Sequence, residues 1–307
     1  MVAPGRQSTL IFDPERLARA NVEVRRPASL RSPVIFASPH SGRCYSPQFL
    51  AQACLDSARL RKSEDAFVDD LFAAVPDAGT PLLLAHFPRA YVDVNREAYE
   101  LDPDMFDGPL PEHVVTRSPR VAAGLGTVPR IVASGEEIYA GPLTYKEVRD
   151  RIERHHRPYH AALADLVDAA RDAFGAALVV DCHSMPSSGG AEIARRGGPP
   201  VDIVLGDCHG SACAPDVTNC AEQALSTAGF LVVRNKPYAG GHTTRHYGRP
   251  MNGVHALQIE INRSLYMDEA RLAPRADFDR VRERLHPLIR ALADIDIGGL
   301  RPRVAAE

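Results

Sequence analysis

The chain has 307 residues, 45% of them hydrophobic, enough to bury a large core and suited to one α/β domain better than to several small ones. Its formal charge of −3 leaves no basic surplus of the kind that draws a protein to nucleic acid. No apolar run reaches the roughly 20 residues of a membrane helix, and the opening "MVAPGRQSTLIFDPERL" lacks the apolar core of a signal peptide, so a soluble, cytoplasmic protein is expected.

Short apolar runs read as buried strands and periodic stretches between them as helices. The first strand, 33–39, "PVIFASP", ends at His40, Ser41 and Gly42. A helical pattern over 58–75 follows and carries Glu64, Asp65, Asp69 and Asp70, with Asp65 and Asp69 on one face at i, i+4. Strands at 80–87 and 90–94 come next, and alternation in the second sends Arg89, Tyr91, Asp93 and Asn95 to one side and Arg96 to the other. Residues 101–135 are rich in Pro and Gly and read as a long excursion of the kind that walls a pocket.

A helix over 144–174, broken near Pro158, leads to the strand 176–181 and to "DCHSMP", with Asp181, His183 and Ser184. The strand 201–207 precedes Cys208 and Cys213, which flank "HGSA" and read as small buried side chains, with metal ligation the alternative. Six cysteines without a CxxC pair imply reduced thiols. A helix at 215–228 and a strand at 229–235 introduce the Gly-rich loop "NKPYAGGHTTRHYG", which holds Tyr238, His242, Arg245 and His246. The last strand, 254–261, delivers Glu260, Asn262 and Arg263; a helix over 267–294 and a loose tail "RPRVAAE" close the chain. The alternation predicts a three-layer α/β/α sandwich with a central mixed sheet, a single domain over 1–307 with its core at about 30–295.

Ligands in open α/β sheets sit beyond the carboxyl ends of strands. His40, His183 and Glu260 all follow apolar runs there, and two imidazoles with one carboxylate make a catalytic zinc set that leaves a position for water. The carboxylate stays open among the acids of 58–75. Arginine beside asparagine in "FPRAYVDVNR" suits a substrate carboxylate, and an internal Arg89–Asp93 pair is the other reading.

The segments "SPHSG", "FPRAYVDVNR", "DCHSMP", "VDIVLGD", "NKPYAGGHTTRHYG" and "GVHALQIEINRSLYMDE" resemble the N-formylglutamate amidohydrolase family, in order from about residue 33 to 269. The resemblance implies a fold akin to zinc carboxypeptidases and aspartoacylases, a metal-bound water, removal of formate from N-formyl-L-glutamate, and a place in histidine breakdown. Where the related zinc enzymes carry HxxE, this chain has "HSGR". The resemblance therefore assigns the ligands as His40, Asp65 and His183, with Glu64 the alternative carboxylate, on Zn²⁺ or another divalent ion. It further implies that Glu260 is the general acid/base and Arg89 polarises the scissile carbonyl. Asn95 and Arg96 would hold a substrate carboxylate, and Arg245, Arg263 and Tyr238 complete the candidate binding set. The competing readings are a deacylase or carboxypeptidase-like hydrolase for another acidic N-acyl amino acid, and a binding protein without turnover.

Overall fold

Val, Ile and Leu runs with both faces covered form the inner strands of the computed structural model, which describes residues 21–194 and 198–302. The opening segment discussed above and most of the tail lie outside the described residues. Seven strands make one sheet: β1 (Val22–Arg25), β2 (Val34–Ser38), β3 (Leu82–Ala85), β4 (Ala177–Met185), β5 (Ile203–Gly206), β6 (Val232–Arg234) and β7 (Val254–Asn262), in the order β1-β3-β2-β4-β7-β5-β6. The pairs β2–β3, β2–β4, β4–β7 and β5–β6 are parallel, while β1–β3 and β5–β7 are antiparallel, so the sheet is mixed.

Helices cover both faces. The helices here numbered α1 to α6 are Pro119–Ala122, Tyr145–Arg151, Arg157–Phe174, Pro215–Thr227, His242–Tyr247 and Phe278–Ala293. α4 and α6 pack on one face, burying Val217, Leu225, Leu285 and Leu288 against Leu178, Val180, Leu257 and Ile259. On the other face α3 buries Tyr159, Leu163 and Leu166 against Ile35, Ala177, Val179 and Ala256. The expected α/β/α layering is the architecture observed. Among the described residues no helix is long and apolar enough to cross a membrane.

Several elements differ from expectation. Residues 90–94 form turns rather than a strand, so the expected alternation of faces does not apply. The 58–75 pattern is four short helical pieces, broken at Glu64 and Asp65, because Asp65 N–H donates to His40 O at 3.0 Å and Ser41 Oγ donates to Asp65 O at 3.1 Å. The 144–174 helix is not broken at Pro158: a π-turn, Ile152–His156, carries α2 into α3, where Pro158 sits in the first turn and needs no N–H. Over 267–294 a short β-hairpin, Met267–Asp268 with Ala273–Pro274, precedes α6. β1, half-exposed at the sheet edge, lacks the apolar run that marked the others.

Candidate active site

Along β4 and β7 one sheet face reads Ala177, Val179, Asp181, His183 and Val254, Ala256, Gln258, Glu260. The register pairs Asp181 with Gln258 and His183 with Glu260. The apolar halves of these rows lie in the core cluster beneath α3. Their polar ends contribute to a cavity of about 420 Å³.

His40, Asp65 and His183 meet there, all buried. Asp65 Oδ2 lies 3.2 Å from His40 Nδ1 and 3.0 Å from His183 Nδ1, and the two Nδ1 atoms are 3.1 Å apart. His40 Nε2 is 2.7 Å from Asp93 Oδ1; a carboxylate accepts, so this nitrogen carries the hydrogen and Nδ1 keeps its lone pair. His183 Nε2 lies 2.9 Å from Asp181 Oδ2 and 3.1 Å from Asn95 Nδ2. The Asp181 contact is a charge contact rather than an aligned hydrogen bond, and both Asp181 oxygens lack a hydrogen-bond partner among the described residues.

Acceptors this close repel unless a cation or proton lies among them. Burial opposes a charge on His183, but Asp181 and Asp65 outweigh it and lift the imidazole well above its ordinary value. Burial likewise opposes ionisation of Asp65, yet His183, His40 and Arg89 hold its carboxyl well below the usual range. Two imidazoles and a carboxylate sharing one point fit a divalent ion, with room in the coordination shell for a further ligand. Glu64 faces elsewhere, accepting from Tyr45 Oη at 2.8 Å and pairing with Arg61 at 3.1 Å.

The arginines are largely committed to the protein itself. Arg263 donates to Asp65 Oδ1 at 2.9 Å, Ser184 Oγ at 3.1 Å and Lys62 O at 3.3 Å, so it braces the carboxylate of the donor set. Arg89 donates to Asp93 Oδ2 at 2.9 Å and has Nη1 3.8 Å from Asp65 Oδ1, which realises the internal-pair reading. Arg96 donates to Leu125 O at 2.9 Å and Asn95 O at 2.7 Å, leaving Nη2 3.6 Å from Asp93. Asn95 Oδ1 accepts Thr243 N–H at 2.8 Å, joining the 88–96 turn to the start of α5. All four of these residues still line the cavity.

Glu260 is 8% exposed. Gln258 Nε2 donates to Glu260 Oε1 at 2.8 Å while Gln258 Oε1 accepts Gly241 N–H at 2.6 Å. Burial, with Asp65 adding and His183, Arg89 and Arg263 opposing, pushes the Glu260 carboxyl up to about 7. Tyr238 and Arg245 also reach the cavity, and the 101–135 excursion forms part of its wall through Arg120, Leu125, Pro129, Ile131 and Ala133. Neither Cys208 nor Cys213 belongs to a metal-type cluster among the described residues; Cys213 is buried, with Sγ 3.3 Å from Thr218 Oγ1.

Gln258, Arg120, His156 and His160 escaped the sequence reading as site residues. His156 and His160 reach Arg96 O at 2.9 Å and Val94 O at 2.8 Å, pinning the 93–96 backbone. The period-two pattern of β7 was a signal for Gln258, two residues before Glu260 on the same face; nothing local marks the others.

Fold and site together define an α/β enzyme of the hydrolase class with a candidate metal centre. Residues 32–267 match the family model of N-formylglutamate amidohydrolase, and the chain belongs to that family. It is 31% identical to an N-formylglutamate deformylase of Pseudomonas aeruginosa over 90% of this chain and 96% of that one. With the N-formylglutamate deformylase of Pseudomonas putida it shares 30% identity over 78% of this chain and 83% of that one. A crystal structure of N-formylglutamate amidohydrolase from Ralstonia eutropha JMP134 superposes with a TM-score of 0.84 at 36% identity, covering 90% of this chain and 98% of that one.

Proposed function

We propose that this chain hydrolyses N-formyl-L-glutamate to formate and L-glutamate, as a single cytoplasmic catalytic domain that works on a free small molecule. Family membership supports the substrate. The observation that carries the chemistry is the convergence of His40, Asp65 and His183 in the cavity that Glu260 also lines. Those three residues would hold Zn²⁺, which when bound supplies Lewis acidity and lowers the pKa of a water towards roughly 7.

Glu260 accepts the proton of the attacking water and passes it to the departing amine nitrogen. A carboxyl with its pKa near 7 is suited to both directions of that transfer. Gln258 fixes one Glu260 oxygen, so the other is the one that handles the proton. Arg89, held by Asp93 and partly open to the cavity, faces the oxyanion that develops on the formyl group. Asn95 and Arg96 shape the floor on which the substrate carboxylate nearest the amide rests, and Tyr238 and Arg245 close the outer side. Arg263 keeps Asp65 aligned.

Purified protein incubated with N-formyl-L-glutamate should release formate and L-glutamate in equal amounts. Absence of both products from the zinc-loaded protein would overturn the assignment.

A further inference from the structure

Five arginines line the cavity, Arg89, Arg96, Arg120, Arg245 and Arg263, against the carboxylates of Asp65, Asp93 and Glu260. The lining therefore carries a positive surplus inside a chain whose net charge is negative. Three of the five guanidiniums are engaged by the protein: Arg89 by Asp93, Arg96 by two carbonyls, and Arg263 by Asp65 and Ser184. Arg120 and Arg245 have no ion pair or side-chain hydrogen bond among the described residues. Arg245 is exposed, whereas Arg120 is half-buried in the wall. A guanidinium taken partly out of water without a partner carries a desolvation cost, which an anion in the cavity recovers through bidentate hydrogen bonds.

The mount of Arg120 is ordered by its own contacts. Ser118 caps α1 by accepting Val121 N–H at 3.0 Å, and its hydroxyl donates to the Glu100 carboxylate. The Arg120 carbonyl accepts Leu125 N–H at 2.8 Å, and the Leu125 carbonyl in turn accepts from Arg96. Burial lowers the Arg96 guanidinium to about 10, with Asp93 and Glu100 opposing and the Arg120 and Arg89 cations adding, so Arg96 and Arg120 share one electrostatic neighbourhood. Asp93 is engaged by Arg89 and Arg96, and no carboxylate pairs with Arg120 among the described residues, which leaves its charge for a ligand to satisfy.

We infer that Arg120 receives the side-chain carboxylate of the substrate, the one remote from the scissile amide, and so selects acidic N-formyl amino acids over neutral ones. This rests on the proposed function. It is carried by geometry the sheet does not supply: the reacting groups stand on β4 and β7, and Arg120 arrives from the loop excursion that walls the same cavity. A carboxylate held two methylenes beyond the amide needs a cation set apart from the reaction centre, and Arg120 is the half-buried one that the protein leaves unpaired.

The test compares wild type, Arg120→Gln and Arg120→Lys on N-formyl-L-glutamate and on its neutral isostere N-formyl-L-glutamine, with glutarate and butyrate binding followed by calorimetry. Arg120→Gln should lose about 10- to 100-fold in kcat/KM on N-formyl-L-glutamate, mainly through KM, with little change on N-formyl-L-glutamine. Arg120→Lys should recover part of the loss, and glutarate should bind more weakly to Arg120→Gln while butyrate binding stays level. Equal losses on both substrates, or none on either, would overturn the role of Arg120. Absence of formate from wild type would overturn the proposed function instead, and the glutarate comparison would then decide the carboxylate subsite by itself.

Discussion

At the scale of single residues, the proposed chemistry depends most on Glu260. Its carboxyl titrates near 7 because burial outweighs the cations around it. A base works only when ionised, so kcat/KM should rise with pH along an acidic limb that Glu260→Gln lacks, and the same limb in the variant would remove Glu260 from that step. Glu260→Gln should retain metal and lose about 10²- to 10⁴-fold in kcat. The same shift bears on stability. Below the ordinary value near 4.5 both folded and unfolded chains hold the proton. Between there and about 7 the unfolded chain ionises while the folded one does not, so the metal-free protein loses stability as pH rises, and the full penalty stands above 7. Metal-free Glu260→Gln should accordingly melt higher than metal-free wild type at pH 8 and alike at pH 4; equal midpoints at both would contradict the buried-carboxylate account. His40, His183 and Glu260 were legible because each follows an apolar run, where a strand meets an opening. Arg263 was legible as a site residue but not in its work, since its partner Asp65 lies 198 positions away in the chain.

Elements decide whether these side chains meet. The Gly-rich loop before α5 approaches the 88–96 turn so closely that a Cβ on Gly241 would stand 2.3 Å from Asn95 Nδ2 and 2.5 Å from Asn95 Oδ1. Gly241 N–H also anchors Gln258, so one backbone unit joins the asparagine beside His183 to the amide that orients Glu260. Gly241→Ala should therefore cut kcat/KM by about tenfold or more while leaving the cooperative unfolding of the sheet in place. Activity like wild type in this variant would mean that the loop contact does not tune the site. The turn at 90–94 and the breaks in 58–75 were beyond local reading for a related reason. Their apolar spacing suits regular elements, but tertiary hydrogen bonds to His40, Thr127, His156 and His160 set the backbone instead. The strands of the sheet interior needed no such information, because continuous burial on both faces leaves a mark in composition alone.

Across the whole molecule, the sheet divides labour along its own length: its interior is a sealed core, and the carboxyl ends of β2, β4 and β7 bring His40, His183 and Glu260 to the cavity, where Asp65 joins them from the break within 58–75. That division made the α/β/α class readable from the alternation of apolar runs and periodic segments, while β1, exposed at the edge, left too weak a pattern. The excursion at 101–135 was readable as a wall but not as the carrier of Arg120, since a half-buried arginine and a solvated one look alike in sequence. Two imidazoles and a carboxylate brought together by the fold suit a divalent ion that the unfolded chain cannot hold, so metal should raise the melting temperature by mass action. The most direct measurement of the central claim is formate release from N-formyl-L-glutamate by chelated protein titrated with zinc, in wild type and in His183→Ala. The account predicts that wild-type activity disappears on chelation and returns linearly up to one equivalent of zinc, and that His183→Ala binds little metal and recovers almost nothing. Full activity in the metal-free wild type, or wild-type zinc content and turnover in His183→Ala, would contradict it.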